Sequence, residues 1–320
     1  MLFWATGLYV MRAHRFLTPK PFYWCSKESG ILLNNIILMV MLLIVLLGTL
    51  YPMIIDGLGL GKISVGAPYF NETLYPFLLL FLAFMALGIQ IKWRKDELRA
   101  LNHGWQIVLA LLFAYLTQVW GYGYFNLKTT LALSLAYWVV LSVIWSLVVR
   151  ILKTRRFPRK LTYWAMFLAH IGFAMSVIGV TISSQYGIET DVVMQPQDIV
   201  SLKNDKIQFI KEQDIKGPNY SGTEVIFKLF NPSFATYIYP QKRIYQIGNM
   251  VMTDADIHYN FWRDIYVSLG TPSGENGWSL RLYYKPMIRW IWLGGIFASL
   301  GGGLALLYYL QAAMRVKKCA

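Results

Sequence analysis

One histidine stands out among the residues of this sequence that could carry chemistry. His170 lies in the apolar run LTYWAMFLAHIGFAMSVIGVTISS, nine residues after Leu161. That places it about 13 Å along a helix that rises about 1.5 Å per residue. An ionisable side chain at this depth in a membrane helix is costly, and it indicates a functional site. From the residues alone, His170 is either a functional residue, in a setting compatible with an axial ligand of heme iron, or a neutral imidazole hydrogen-bonded to a neighbouring helix.

The helix around His170 has two different faces. Small residues recur at spacings of four, three and four, and they predict a stripe where a neighbouring helix approaches closely: Gly172, Ser176, Gly179 and Ser183. At about 100° per residue, His170 lies about 160° around the axis from Gly172, so the imidazole is expected to point away from this stripe. Its own face is apolar and suits a porphyrin, lipid or a partner helix: Tyr163, Phe167, Ala174 and Val177.

The other three histidines are expected to be solvated surface residues. His14 and His103 lie in basic loops, and His258 lies in the polar string TDADIHYNFWRD. None of them falls in an apolar span, so a second axial ligand for a bis-histidine heme is expected outside this chain. The two cysteines, Cys25 and Cys319, form no CxxC pair, which argues against thiol–disulfide exchange by this chain.

The elements that position His170 are predicted to be membrane helices. The 320 residues are 56% hydrophobic and only 14% charged, with a mean hydropathy of +0.44. Soluble domains carry about 25% charged residues, so this composition excludes an ordinary soluble enzyme, a disordered chain and a disulfide scaffold. Six apolar stretches are long enough to span a bilayer: 31–55, 74–91, 105–125, 129–150, 161–184 and 287–310.

Basic residues are distributed unevenly between the loops. Seventeen Lys and Arg lie before the first span, after the second, after the fourth and in the C-terminal tail, whereas the two short loops on the opposite side carry only Lys62 and Lys128. This asymmetry predicts that both termini are cytoplasmic. It also accounts for most of the net charge of +14, so no nucleic-acid partner is expected.

The long segment between the fifth and sixth spans is predicted to form an exported β domain. Short runs such as KIQFI, EVIFKLF and DIYVSLG alternate with strings rich in Pro, Gly and Asn, a pattern typical of an antiparallel barrel or sandwich. The fold class is therefore a membrane all-α protein with six transmembrane helices and one extracytoplasmic, mainly antiparallel β domain inserted before the last helix. The expected parts are the end of a preceding helix with a cytoplasmic loop (1–30), five transmembrane helices (31–184), the β domain (185–285), and the last helix with its basic tail (286–320).

Several long strings resemble the CcmF/NrfE family, the heme lyase subunit of the bacterial cytochrome c maturation system. They include GTLYPMIIDGLGLGKISVGAPYFN, FLAHIGFAMSVIGVTISS and LRLYYKPMIRWIWLGG. The resemblance covers essentially the whole chain, but only about the C-terminal half of the family's usual length. The family's tryptophan-rich WWD segment and its first membrane histidine have no counterpart in this sequence. The family's second membrane histidine lies in a string like L-A-H-x-G, which residues 168–172 match. The resemblance thus implies that His170 is one axial ligand of a b-type heme whose second ligand lies outside this chain.

The resemblance also implies an activity, a location and partners. The activity is covalent attachment of heme to apocytochrome c in the periplasm, with heme as substrate and heme b as cofactor, and it is expected to require the N-terminal half. The location is the bacterial inner membrane, with residues 185–285 in the periplasm. The implied partners are the N-terminal half or a split-gene partner, the heme chaperone CcmE, the thiol-handling subunit CcmH and apocytochrome c. A non-catalytic scaffold or docking subunit of the same complex stays open as the alternative.

Overall fold

A computed structural model describes residues 2–12, 26–91, 104–274 and 277–319. Within these residues the helices are α1 (Leu2–Arg12), α2 (Lys27–Gly57), α3 (Ala67–Gln90), α4 (Gly104–Tyr122), α5 (Leu127–Thr154), α6 (Leu161–Tyr186) and α7 (Ile288–Cys319). Helices α2 to α7 are each long and apolar enough to cross a membrane. The six predicted spans are therefore confirmed, with helix ends shifted by up to nine residues.

The chain divides into two compact units, Met1–Trp105 and Gln106–Ala320. In the first unit, α2 and α3 pack where Gly48 leaves room for two aromatic rings. A Cβ atom at Gly48 would lie 2.7 Å from ring atoms of Tyr69 and of Phe70. The Tyr69 hydroxyl also donates to the Ile44 carbonyl at 3.3 Å. A side chain larger than glycine would therefore force these rings, or the helices that carry them, to shift.

In the second unit, α6 and α7 pack backbone against backbone. A Cβ atom at Gly172 would lie 2.4 Å from the Ala298 nitrogen and 2.5 Å from the Gly294 oxygen. Gly301 of α7 stands equally close to the backbone of Ala169. The small-residue stripe predicted on α6 is therefore the surface that α7 contacts, as expected for helices that associate without large side chains between them.

The β domain is a sandwich of two antiparallel sheets. Its strands are β1 (Ile188–Met194), β2 (Ile199–Leu202), β3 (Asp205–Lys216), β4 (Tyr220–Asn231), β5 (Phe234–Ile238), β6 (Gln241–Tyr245), β7 (Val251–Asp254), β8 (Asp256–Tyr259), β9 (Arg263–Ser273) and β10 (Gly277–Pro286). One sheet has the order β1-β10-β9-β8, and the other has the order β2-β3-β4-β6-β7 with β5 paired to β4. Alternate residues of both sheets fill the core, including Phe209, Phe227, Val267 and Leu282.

The first and last strands of the sandwich are both connected to the α6–α7 pair. Strand β1 begins two residues after α6 ends, and α7 begins two residues after β10 ends. These two strands pair directly, with Ile188 opposite Tyr284. Because the strands that enter and leave the sandwich are neighbours, the packed helices below them fix the base of the β domain. The predicted mainly antiparallel β domain before the last helix is confirmed.

Candidate functional site

His170 lies in the middle of α6 and is half-buried. Its Nδ1 atom is 2.7 Å from the Met166 carbonyl oxygen, one helical turn earlier. A carbonyl can only accept, so Nδ1 carries the proton and donates, which leaves the lone pair on Nε2. A histidine that ligates a metal usually bonds its other ring nitrogen to such an acceptor, which fixes the tautomer and the ring orientation.

Helix α5 covers part of the face that carries His170. Tyr163, two turns before His170 on that face, is buried, and the Arg150 guanidinium of α5 lies 5.0 Å from its ring centroid. Ala174 and Val177 are buried as well. The face predicted to be available to a porphyrin, lipid or a partner helix is therefore only partly available, around His170 itself.

His170 would supply one histidine ligand to a heme, with its Nδ1 held by the Met166 carbonyl in a helix of mostly apolar residues. Among the described residues, no group of three or more His, Cys, Asp or Glu side chains could hold a metal ion. Of the other histidines, His258 lies in β8 of the sandwich, and His14 and His103 lie outside the described residues.

A buried polar cluster joins the ends of α4, α5 and α6 that lie nearest the sandwich. Gln118 of α4 donates to the Thr130 hydroxyl at 2.7 Å, and its side-chain oxygen accepts from the Tyr186 hydroxyl at 3.0 Å. The Asn126 backbone N–H donates to the same oxygen at 3.0 Å. Buried polar groups of this kind require partners, and the three elements supply them to one another. The spans therefore contain polar side chains that were not singled out from the sequence.

A lysine connects the sandwich to this end of the bundle. The Lys203 ammonium, at the β2–β3 turn, lies 4.6 Å from the ring centroid of Tyr122 in α4 and 5.1 Å from that of Tyr284 in β10. Burial lowers the pKa of Lys203 below its ordinary value. A partly desolvated cation on aromatic faces is a favourable contact, so it helps to orient the sandwich on α4.

The membrane-proximal end of the sandwich contains a buried ion pair. Arg263 donates to Asp205 at 2.8 Å, and their side chains are only 7% and 3% exposed. Asn231 donates to the same carboxylate at 2.8 Å. An Arg–carboxylate pair withdrawn from water is stable only when both groups keep their partners. This cluster therefore fixes the start of β9 against the start of β3.

His258 belongs to this cluster and is half-buried, so its prediction as a solvated surface residue is only partly met. Its ring stacks on Phe234 with centroids 5.0 Å apart and an angle of 5° between the planes. Its Nδ1 lies 3.2 Å from an Arg263 guanidinium nitrogen, which donates to it. Burial, followed by the positive charge of Arg263, lowers the pKa of His258. The cause of the difference is tertiary, because strand β5 brings Phe234 over a position that is polar in the local sequence.

A second charged pair joins the sandwich to the start of α7. The Asp264 carboxylate, 4% exposed, lies 3.4 Å from Arg289, whose guanidinium also stands 4.0 Å from the Tyr259 ring centroid. Burial raises the pKa of Asp264 despite the nearby cation. A pocket of about 390 Å³ opens beside these residues and is also lined by Trp292. The signal that marks both charged clusters in the sequence is the adjacent pair Arg263-Asp264 directly before an apolar strand.

Comparison with known proteins identifies the same architecture elsewhere. Residues 185–286 match the family described as the CcmF C-terminal beta-sandwich. The Cytochrome c-type biogenesis protein CcmF of Haemophilus influenzae is 36% identical over 294 residues, 88% of this chain and 45% of that protein. The CcmF of Pseudomonas aeruginosa is also 36% identical, over 97% of this chain and 49% of that protein. NrfE of Haemophilus influenzae is 32% identical, over 93% of this chain and 47% of that protein.

A solved structure shares the fold. The chain described as Cytochrome c Heme Lyase CcmF superposes with a TM-score of 0.75 over 94% of this chain and 48% of that chain, at 20% sequence identity. This chain therefore spans about half the length of the curated relatives and of the structure it matches.

Proposed function

Because this chain corresponds to the C-terminal half of the CcmF/NrfE family of cytochrome c-type biogenesis proteins, we propose that it forms the C-terminal part of a heme lyase. The reaction attaches heme covalently to apocytochrome c. Each of two cysteine thiols of the apocytochrome adds across a heme vinyl group: a C–S bond forms, the thiol hydrogen passes to the other vinyl carbon, and no external oxidant or reductant is consumed. Both sulfur atoms come from the substrate, which agrees with the lack of a CxxC pair in this chain.

The observation that carries the proposal is the setting of His170. It occupies the family's L-A-H-x-G string in α6, with Nδ1 donating to Met166. In the proposed site, His170 would ligate a b-type heme through Nε2, and the N-terminal half would supply the second ligand. A heme held there supplies one-electron redox chemistry, suited to keeping the iron of the substrate heme reduced. The role of α5 and the α6–α7 seam is to keep the imidazole in position and the site dry.

The proposed location is the bacterial inner membrane, with the sandwich in the periplasm. The support is the loop asymmetry of seventeen basic residues against two together with the six membrane helices. In this proposal the N-terminal half or a split-gene partner completes the heme site. The other proposed partners act in the periplasm: the chaperone CcmE delivers heme, and CcmH presents the reduced apocytochrome c. The sandwich is the largest part of this chain on that side, so it is the main surface that such periplasmic partners can reach.

The decisive experiment co-expresses this chain with the N-terminal half of a relative and measures covalent heme on a reporter apocytochrome c. His170→Gln is the test variant, because glutamine keeps a donor for the Met166 carbonyl but is a poor iron ligand. Val180→Ala, at an exposed position of the same helix, is the matched control. The lyase proposal expects strong loss of attachment in His170→Gln and normal attachment in the control. If this chain is a non-catalytic scaffold, both variants will support full attachment.

A further inference from the structure

The β8–β9 turn brings two large aromatic side chains to the start of a membrane helix. Phe261 is 49% exposed and Trp262 is 59% exposed. The Met287 backbone N–H donates to the Trp262 carbonyl at 2.8 Å, and α7 begins at the next residue, Ile288. The turn is therefore fixed to the point where the chain enters its last span.

The length of α7 places this point in the lipid headgroup region. The span Ile288–Met314 has 27 residues, about 40 Å of helix at about 1.5 Å per residue, whereas the hydrocarbon core of a bilayer is about 30 Å thick. The ends of the span therefore lie among the headgroups. Trp290, in the first turn of α7, packs on Phe261 and Trp262 with ring centroids 5.5 Å and 6.0 Å apart. The two aromatic side chains thus lie at the depth of the headgroups.

The turn is ordered by its own hydrogen bonds. The Asn260 side-chain oxygen accepts from the backbone N–H groups of Trp262 and Arg263, both at 2.8 Å. The Asn260 N–H donates to the Arg263 carbonyl at 2.9 Å. The closed turn therefore fixes the backbone that carries the two exposed aromatic side chains. Trp262 carries an indole N–H, and Trp prefers the membrane–water interface to either bulk water or the hydrocarbon core, whereas Phe261 adds apolar area beside it.

We propose that the β8–β9 turn, residues 260–262, inserts into the headgroup region of the bilayer on the sandwich side. It forms an aromatic anchor together with Trp290 and Trp292 of α7, and its partner is the phospholipid headgroup layer. The turn is continuous with a surface that already lies at this interface, because a hydrogen bond and two ring contacts join it to the start of α7. As a consequence, the base of the sandwich is anchored in the bilayer by this turn as well as by the α6–α7 pair.

The opposite end of the sandwich supplies an internal control. Strand β4 runs from Tyr220 to Asn231, and Asn231 contacts the ion pair at the membrane-proximal end. Tyr245, at the end of β6, is opposite Tyr220. The β6–β7 turn therefore lies at the end remote from the membrane. Its Ile247 is 88% exposed, so it is an apolar residue that the proposal places in water.

The test labels the unmodified chain from within the lipid. The full chain is reconstituted in nanodiscs of phosphatidylethanolamine and phosphatidylglycerol that contain a phospholipid with a diazirine near the top of one acyl chain. After irradiation, adducts are mapped by mass spectrometry. We expect adducts on residues 259–262 at a level comparable to that on the first turn of α7. We expect no adducts on residues 246–252. Absence of adducts from 259–262 while α7 is labelled would overturn the proposal, whether water or protein covers the turn.

Spin labels give a second measurement. In a chain with Cys25→Ser and Cys319→Ser, a nitroxide is attached to Trp262→Cys or, as the control, to Ile247→Cys. We expect the label at 262 to relax with oxygen more than with a water-soluble nickel chelate, and the label at 247 to show the reverse. Equal preference for the nickel chelate at both positions would refute insertion. If Trp262→Cys does not fold, the labelling of the unmodified chain decides the question alone.

Discussion

At the scale of single residues, the buried ion pair of the sandwich differs sharply from the exposed one. Arg263 and Asp205 are withdrawn from water, whereas Arg281 and Asp191 are more than half exposed at a similar distance of 2.7 Å. Surface pairs gain little because water and salt screen them. A buried pair that loses one member leaves an uncompensated charge in the interior. The two pairs therefore form a matched comparison within one domain.

Arg263→Ala is expected to destabilise the sandwich by about 3–5 kcal/mol, because Asp205 is left charged and buried. Arg281→Ala is expected to change stability little. The measurement is a urea titration of the full chain in detergent, with the folded fraction of the sandwich determined by pulse proteolysis. Equal urea midpoints for the two variants would contradict the buried-pair account.

His258 is expected to make the sandwich sensitive to mild acid. Its pKa in the folded state is lowered by burial and by Arg263, so below the unfolded-state pKa of about 6.5 the unfolded chain binds the proton more readily. The free energy of unfolding is therefore highest above that pH, and it decreases as the pH falls from there toward the lower pKa of the folded state. The urea midpoint of the wild-type sandwich should fall between pH 7.5 and pH 5.5, and His258→Gln should flatten that dependence. Identical slopes for both proteins would show that another group titrates.

The predictions for His170 and His258 show which properties of a residue can be predicted from its local sequence. The depth of His170 follows from the length of an apolar run, a property of about 24 consecutive residues. The environment of His258 depends on Phe234, which lies 24 positions earlier and meets it only after the sheets pair. The Gln118 cluster was missed for the same reason, because its partners come from three separate helices or loops.

At the scale of elements, the α6–α7 seam positions the candidate ligand. Small residues at spacings of three and four could be identified from the sequence because helix periodicity maps them onto one stripe. The identity of the partner helix could not, since 101 residues of sandwich separate the end of α6 from the start of α7. The sandwich itself was predictable as β structure from alternating runs, but its division into two sheets depends on strand pairs distant in sequence.

Gly172→Ala tests the seam. The added methyl group would meet the Ala298 nitrogen at 2.4 Å and the Gly294 oxygen at 2.5 Å, so α7 must move, at a cost of about 1–3 kcal/mol. Gly295→Ala is the matched control, because nothing lies within 4 Å of a Cβ atom there. Thermal unfolding in detergent should show a lower midpoint for Gly172→Ala and an unchanged or slightly higher one for Gly295→Ala. The reverse order would mean that the helices do not pack along this stripe.

At the scale of the whole molecule, charge and hydropathy predict the orientation in the membrane. Alkaline phosphatase fused after Gly217, in the β3–β4 turn, is expected to be active because it is exported, and a fluorescent protein at the C-terminus is expected to fluoresce in the cytoplasm. The reason is the excess of basic residues in the loops assigned to the cytoplasm. Active phosphatase at the C-terminus would reverse the assignment of every span.

The central claim is that His170 is an axial ligand of a b-type heme shared with the N-terminal half. The most direct measurement is the reduced-minus-oxidised spectrum and heme content of the purified two-part complex carrying His170→Gln, beside Val180→Ala. The account predicts that His170→Gln loses most low-spin b heme, that added imidazole restores part of it by refilling the coordination site, and that the control keeps all of it. A full complement of low-spin b heme in His170→Gln would contradict the account and leave His170 as a neutral imidazole hydrogen-bonded within the helices.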